Sequence, residues 1–350
     1  MSSAPSTPLN LGVSIIQDEK EIITNTDIIA QLSLLDDNKS SLLKENQTFI
    51  GVLNPYENKD KINNLIQKKI NTFSHELLPR ITRAQSMDIL SSQANLAGYK
   101  AVVESFAYFE KAIPMMMTAA GTIPAAKVLV VGAGVAGLQA IATAKRIGAV
   151  VYASDVRKSA AEQIESVGGR FIEVDGMDDF EDEAGYAKPL TPEFIQKVND
   201  TVCGVASDAD IIVTTARIFG RPAPITVPSS AVQGFKSGAV VVDMNADVGG
   251  NCEDTVAGEV ITTDNGVIIV GTSNLPGTIA TTASMLYSNN LTTFITSLVQ
   301  EGEVVISEED DVLVGAPEGS DFYVNGMGGV LICQNGEMHP KQTRLGGALE

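Results

Sequence analysis

The stretch Lys127-Val128-Leu129-Val130-Val131-Gly132-Ala133-Gly134-Val135-Ala136-Gly137 leads into a helix-compatible run from Ala136 to Ile147. That run is followed by Val150-Val151-Tyr152-Ala153-Ser154-Asp155. Val128 to Val131 form a short apolar run of the kind a buried parallel strand requires, and it ends directly at a glycine-rich turn. Gly132 permits the tight turn, Gly134 lets backbone approach a pyrophosphate, and Gly137 allows close helix–strand packing. The following helix, opening at Val135 and Ala136, turns its positive N-terminus toward the phosphates. A bare Gly-x-Gly-x-x-Gly is a weak signal, since many glycine turns bind nothing. Here a strand precedes it, a helix follows, and a second strand ends at an acidic residue about 20 positions on, which is a nearly complete dinucleotide-binding unit. Asp155, with Val156 and Arg157 beside it, lies where a carboxylate accepts hydrogen bonds from adenosine ribose hydroxyls and repels a 2′-phosphate. NAD(H) is therefore favoured, with the basic Arg157 and Lys158 pulling toward the phosphorylated cofactor.

Composition bounds the rest. A chain of 350 residues with 44% hydrophobic content can bury a large core and is long enough for about two domains. A net charge of −19 argues against nucleic acid as a partner and against charge-driven binding to an anionic membrane surface. Cys203, Cys252 and Cys333 are widely spaced and form no metal or redox motif, so they are expected to be reduced thiols of an intracellular protein. No charged and apolar secretory leader is visible at the N-terminus. The most membrane-like window, Ile123 to Ala144, contains Lys127 and the three motif glycines and reads as strand, turn and helix, so no membrane span is expected.

Along the chain, Thr48 to Leu53 reads as a strand and Lys59 to Ile70 as a short amphipathic helix. Asp88 to Phe109 and Ala283 to Val299 read as long helices, with apolar positions at helical spacing in the first. Arg170 to Val174, Ile211 to Thr214, Ala239 to Met244 and Val267 to Val270 are strand candidates. Their alternation with helices predicts an α/β fold with a doubly wound parallel sheet. Val312 to Gly315 and Gly329 to Cys333 read as short strands with glycine turns. Thr215-Ala216 and Asn274-Leu275 follow predicted strands, where open α/β sheets place ligand contacts.

Several longer runs carry a family resemblance. Pro79-Arg80-Ile81-Thr82-Arg83-Ala84-Gln85-Ser86-Met87-Asp88-Ile89-Leu90-Ser91-Ser92-Gln93, then Asn95-Leu96-Ala97-Gly98-Tyr99-Lys100, resembles the NAD(H)-binding domain I (alpha subunit) of proton-translocating NAD(P) transhydrogenase, within the alanine dehydrogenase/transhydrogenase family. So do Met117-Thr118-Ala119-Ala120-Gly121-Thr122-Ile123-Pro124, the glycine motif, Gly185-Tyr186-Ala187-Lys188 and Gly249-Gly250-Asn251-Cys252.

The resemblance implies two Rossmann-like lobes joined by the two long helices. Residues 1–88 with 300–350 would form the first lobe, 89–113 a connecting helix, 114–282 the NAD-binding domain and 283–299 the return helix. It also implies a Re/Si-specific hydride transfer from NAD(H) to NADP(H) held on a partner domain III, coupled by a membrane domain II to proton translocation, in a homodimer. The location implied is peripheral to the inner membrane on the cytoplasmic side, or the mitochondrial matrix side in a eukaryote. Among the residues, Arg80, Gln85 and Asp88 would hold the nicotinamide end. Ser91 would reach the nearby ribose or pyrophosphate, and Gly185 and Tyr186 would belong to a loop that folds over bound nucleotide. The chain departs from the family in lacking a counterpart to its opening βα region, so the first lobe is expected to be shortened. It also departs in reading Ala216-Arg217-Ile218-Phe219-Gly220-Arg221-Pro222-Ala223-Pro224 and Thr272-Ser273-Asn274-Leu275-Pro276-Gly277-Thr278-Ile279 where the family has a leucine, a lysine and an arginine-containing turn.

Two other readings share the fold. An alanine dehydrogenase would need basic groups for a substrate carboxylate and a proton-transfer residue, usually histidine. Asp247 sits where that enzyme carries an aspartate, but the chain has only His75 and His339, read as structural and solvated respectively. A non-catalytic paralogue that binds NAD(H) weakly and docks to other subunits is the third reading; the presence of Arg80, Gln85, Asp88, the glycines and Asp155 speaks against it, since a pure scaffold would need none of them.

Overall fold

The computed structural model describes residues 12–174, 176, 191–217, 222–315 and 329–342. The chain divides into two compact units, Met1–Ala84 with Ile306–Glu350, and Gln85–Val305.

In the first unit, strands Ile28–Ala30, Thr48–Gly51 and Asn71–Ser74 pair in parallel, in the register Ile28↔Thr48 and Thr48↔Asn71. Phe49, Ile50 and Phe73 are fully buried on them, as expected for apolar strands covered on both faces. The Lys59–Gln67 helix between the second and third strands buries Ile62 and Leu65, neighbours one turn apart on one face. Leu331–Gln334 adds antiparallel to Asn71–Ser74, and Glu337–Met338 closes the edge as a hairpin. The expected strand over Val312 to Gly315 is instead a single helical turn, Asp311–Val314. Asp310 caps it by accepting from Val312 N at 2.9 Å, and Gly315 ends it at φ +74°. Three buried apolar residues in a row carry no period that separates strand from helix. The capping aspartate decides the matter.

The second unit is built on a seven-stranded sheet. Its spatial order is Val260–Thr262, Ile268–Val270, Val240–Asp243, Ile211–Thr214, Lys127–Val131, Val150–Ser154, Arg170–Phe171. All neighbours are parallel except the edge strand Val260–Thr262. Numbered by chain position, the six parallel strands run 3-2-1-4-5-6, the doubly wound order whose direction reverses between Lys127–Val131 and Ile211–Thr214. The strand expected over Arg170 to Val174 pairs only at Arg170–Phe171, although Val174 is 1% exposed and still belongs to the interior.

Alternate residues of the first parallel strand face two separate cores. Val128 and Val130 pack with Ala101, Val102, Ala140, Ile141 and Ile164 on one side, and Leu129 and Val131 pack with Val202, Ala206 and Val232 on the other. The long helices, Ile89–Tyr108 and Ala280–Leu298, both belong to this unit. Polar bonds tie them, with Ser92 Oγ on Asn290 Oδ1 at 2.7 Å and Gln93 Nε2 on Ala283 O at 3.1 Å. A Cβ on Gly98 would stand 2.0 Å from Ala136 O, so the first long helix lies directly against the start of the helix that follows the glycine turn.

Candidate functional site

The glycine turn sits at the point where strand order reverses. Gly132 adopts φ +100°, which costs a glycine nothing, and its N–H donates to Ser154 O at 2.8 Å. A Cβ on Gly137 would meet Gly132 O at 1.9 Å, so this residue sets how closely the helix approaches the turn. Gly134 is different: its φ is −72°, and an added Cβ would find no heavy atom within 4 Å. The turn therefore leaves open space above Gly134. That space faces the N-terminus of the Val135–Arg146 helix, where Gly134 caps without a side chain. The first N–H groups of an α-helix have no partner within it, and the helix dipole adds positive potential, so the residues present fit a pyrophosphate. Val135 is 36% exposed at this mouth, while Ala136 is partly covered.

Thr215 lies on the facing strand end. Its N–H donates to Val131 O at 2.8 Å and its hydroxyl to Gly132 O at 3.0 Å, which locks the turn to the strand across the switch point. The next residue is held by a buried polar network that sequence reasoning missed. Ala216 O accepts from Asn245 Nδ2 at 3.0 Å and Asn251 Nδ2 at 2.8 Å, and the latter also reaches Pro224 O at 2.7 Å. Beneath it the fully buried Asp243 accepts from Asn245 N, Asn251 N, Cys252 N and the Thr255 hydroxyl at 2.7–3.0 Å. The signal was the Gly249-Gly250-Asn251 run: Gly250 has φ +76°, and a Cβ there would stand 2.9 Å from the Asp243 carboxylate.

Asp155 ends the Val150–Ser154 strand as expected, with its carboxylate already engaged. Oδ2 accepts from Ala133 N at 2.7 Å and Arg157 Nη2 at 3.1 Å, and Oδ1 from Arg157 N and Nε, both at 2.9 Å. Arg157 also donates to Ala133 O at 3.3 Å. Val156 between them is half-buried.

The Gln85-to-Ser91 segment enters the Ile89–Tyr108 helix, and Asp88 is its N-cap. Oδ1 accepts from Ser91 N at 2.9 Å and Oδ2 from the Ser91 hydroxyl, so these two site candidates bond each other. Gln85 is exposed. Arg80 is an exposed residue of the other unit. Asn274 takes the left-handed conformation (φ +52°) and caps the turn Leu275–Ile279, while Leu275 is 3% exposed and belongs to the apolar core. Gly185 and Tyr186 lie outside the described residues, as do Ile218 to Arg221. His75 is fully buried in the first unit. His339, read as solvated, is instead 6% exposed, with Nε2 3.1 Å from Glu308 Oε2. Burial raises the Cys252 thiol to about 12 and the Cys333 thiol to about 11, which removes both as nucleophiles.

The strand order, the open glycine turn at the switch point and the carboxylate closing the second strand together define a Rossmann-type dinucleotide-binding protein. The chain belongs to the alanine dehydrogenase/PNT family: the N-terminal domain description of that family matches residues 9–97 and the C-terminal one residues 101–320. A relative in Rhodospirillum rubrum, named as the first portion of NAD(P) transhydrogenase subunit alpha, is 46% identical over 279 residues, covering 79% of this chain and 72% of that one. The crystal structure of a transhydrogenase from Sinorhizobium meliloti superposes with a TM-score of 0.78 at 40% identity, covering 91% of this chain and 83% of that one. An alanine dehydrogenase of Methanococcus maripaludis is 23% identical over 300 residues, covering 83% of this chain and 74% of that one. Among the described residues no helix is long and apolar enough to cross a membrane.

Proposed function

We propose that this chain is the NAD(H)-binding component of a proton-translocating NAD(P) transhydrogenase. It takes part in Re/Si-specific hydride transfer between NAD(H) held here and NADP(H) held on a partner domain III. A membrane domain II supplies the proton path, the chain sits at the membrane's cytoplasmic or matrix face, and it works as a homodimer. The observation that carries this is the open Gly134 turn at the switch point, in a chain 46% identical to a named transhydrogenase subunit. The nicotinamide ring supplies the hydride itself. What the protein contributes is proximity and orientation. In this reading the Gly132–Gly137 turn and the helix N-terminus bind the pyrophosphate, and Asp155 binds the adenosine ribose. Thr215 and Ala216, at the switch point, and Asn274, after the Ile268–Val270 strand, are the remaining contacts, while Leu275 stays packed in the core. Gln85 and Asp88 hold the carboxamide so that one ring face is presented. Ser91, bonded to Asp88, fixes the direction of that carboxylate.

The test is reduction of an NAD analogue by NADPH after mixing this chain with a separately expressed NADP(H)-binding domain III. An Asp88→Asn variant runs alongside. Asparagine caps helices about as well as aspartate, so the melting temperature should hold. Turnover should nevertheless fall about tenfold or more, the size of one lost charge-assisted hydrogen bond. Undiminished turnover in the variant would restrict Asp88 to its capping role. No turnover with the unmodified chain, despite an active domain III, would refute the transhydrogenase reading.

A further inference from the structure

The ribose carboxylate is saturated. A carboxylate offers about four acceptor positions. In Asp155 they are taken by Ala133 N, Arg157 N, Arg157 Nε and Arg157 Nη2, at 2.7–3.1 Å. Two of these donors are backbone groups of the glycine turn and of the strand end, which cannot leave without moving the loop. The other two come from one guanidinium. The pair is also shielded, with side-chain exposures of 8% for Asp155 and 14% for Arg157, so bulk solvent does little to weaken it.

We propose that Arg157 is the specificity-determining residue of the nucleotide site, a latch on Asp155 that NAD(H) opens by exchanging its two adenosine-ribose hydroxyls for the guanidinium. The inference rests on the NAD(H) reading above and adds to it a second residue and a reason for selectivity. A ribose diol supplies two O–H donors, the number that the departing guanidinium withdraws, so the carboxylate is again fully satisfied. A 2′-phosphorylated ribose has lost one of those hydroxyls and brings a dianion against a carboxylate, so it cannot complete the exchange. Arg157 would suit such a phosphate well, since a guanidinium grips phosphate through two parallel N–H bonds. Asp155 engages it through Nε and Nη2, the two donors such a grip would use. The carboxylate thus rejects NADP(H) twice, once by repulsion and once by engaging the Arg157 guanidinium.

The experiment titrates the full chain with NADH and with NADPH, following nucleotide fluorescence, in four forms: unmodified, Arg157→Gln, Asp155→Asn and the double variant. Arg157→Gln removes the competitor for the carboxylate and should tighten NADH binding about three- to tenfold, up to the worth of one charge-assisted bond. Asp155→Asn should weaken NADH binding and tighten NADPH binding about tenfold, and the double variant should lose that gain. Weaker or unchanged NADH binding in Arg157→Gln would overturn the inference, placing the guanidinium on the nucleotide or leaving it idle. A gain in NADPH affinity that survives in the double variant would overturn it too. If the unmodified chain binds neither nucleotide, the NAD(H) reading fails and the latch with it. If it binds NADH normally while Arg157→Gln shows no tightening, the latch alone fails. Should Asp155→Asn not fold, judged by its thermal melt, the Arg157→Gln arm decides.

Discussion

Gly134 and Gly137 stand three residues apart in one motif and do different physical work. A methyl on Gly137 would collide with Gly132 O at 1.9 Å, so Gly137→Ala should cost about 1–3 kcal/mol or more through overpacking and lose nucleotide binding with it. A methyl on Gly134 meets nothing within 4 Å. Gly134→Ala should therefore fold with a loss of no more than about 1 kcal/mol, the range seen for N-cap changes, yet, if the proposed pyrophosphate site is right, bind NADH at least about tenfold more weakly because the methyl would occupy its place. Paired thermal melts and NADH titrations check both. Normal NADH binding by Gly134→Ala would remove the pyrophosphate from this turn. At this scale the sequence was informative about identities and silent about pairings. Asp155 could be placed from its distance to the turn, but the bonding of Arg157 to it depends on a side-chain rotamer. The Asp243, Asn245 and Asn251 network under Ala216 joins residues whose polar character alone does not show that they are buried together.

Elements were legible where burial on two faces left an unbroken apolar run, as at Lys127–Val131, Ile211–Thr214 and Val240–Asp243. They were not legible where the run was short, as at Asp311–Val314, or where pairing stopped early, as after Phe171. The 3-10 turn His75–Leu77, which follows strand Asn71–Ser74, shows what a strand end can bury unnoticed. Glu76 is 3% exposed, and its Oε1 accepts from Leu53 N at 2.9 Å and Asn54 N at 2.6 Å, tying two loops together. Burial pushes its carboxyl above the usual 4.5, against the lowering effect of these bonds. The folded form then holds its proton to higher pH than the unfolded form, so stability falls as pH rises from 4.5 through the raised value. Glu76→Gln has no proton to lose there. Its melting temperature relative to the unmodified chain should rise with pH across that window and level off above it. A difference that stays constant from about pH 4 to about pH 8 would show that Glu76 titrates alike in both states.

For the molecule as a whole, the sequence marked the doubly wound sheet and the positions of the long helices, because alternation of strand and helix is a local pattern repeated many times. Association is a property of surface that no periodicity records. The antiparallel hairpin Met116–Thr118 and Gly121–Ile123 carries Met117 at 78% exposure, next to Met115 at 62%. A two-stranded hairpin with an apolar face is marginal in water by itself, and such a surface suits a partner subunit. If this hairpin supports the proposed homodimer, light scattering should give twice the 36.9 kDa chain mass for the unmodified protein. Met117→Asp should shift the mass toward one chain, with the melting temperature of the individual fold retained. A unit mass for the unmodified protein at micromolar concentration would dispose of the dimer.

The crossing at Gly98 and Ala136 carries a consequence for how this protein can change over time. With a side-chain carbon at position 98 landing 2.0 Å from a main-chain oxygen, no replacement at position 136 can make room, because every residue brings the same carbonyl. At this crossing the glycine of the first helix is therefore fixed whatever residue stands opposite it. A mutagenesis library that randomises residue 98 should return glycine alone among its folded members, whatever is allowed to vary opposite it.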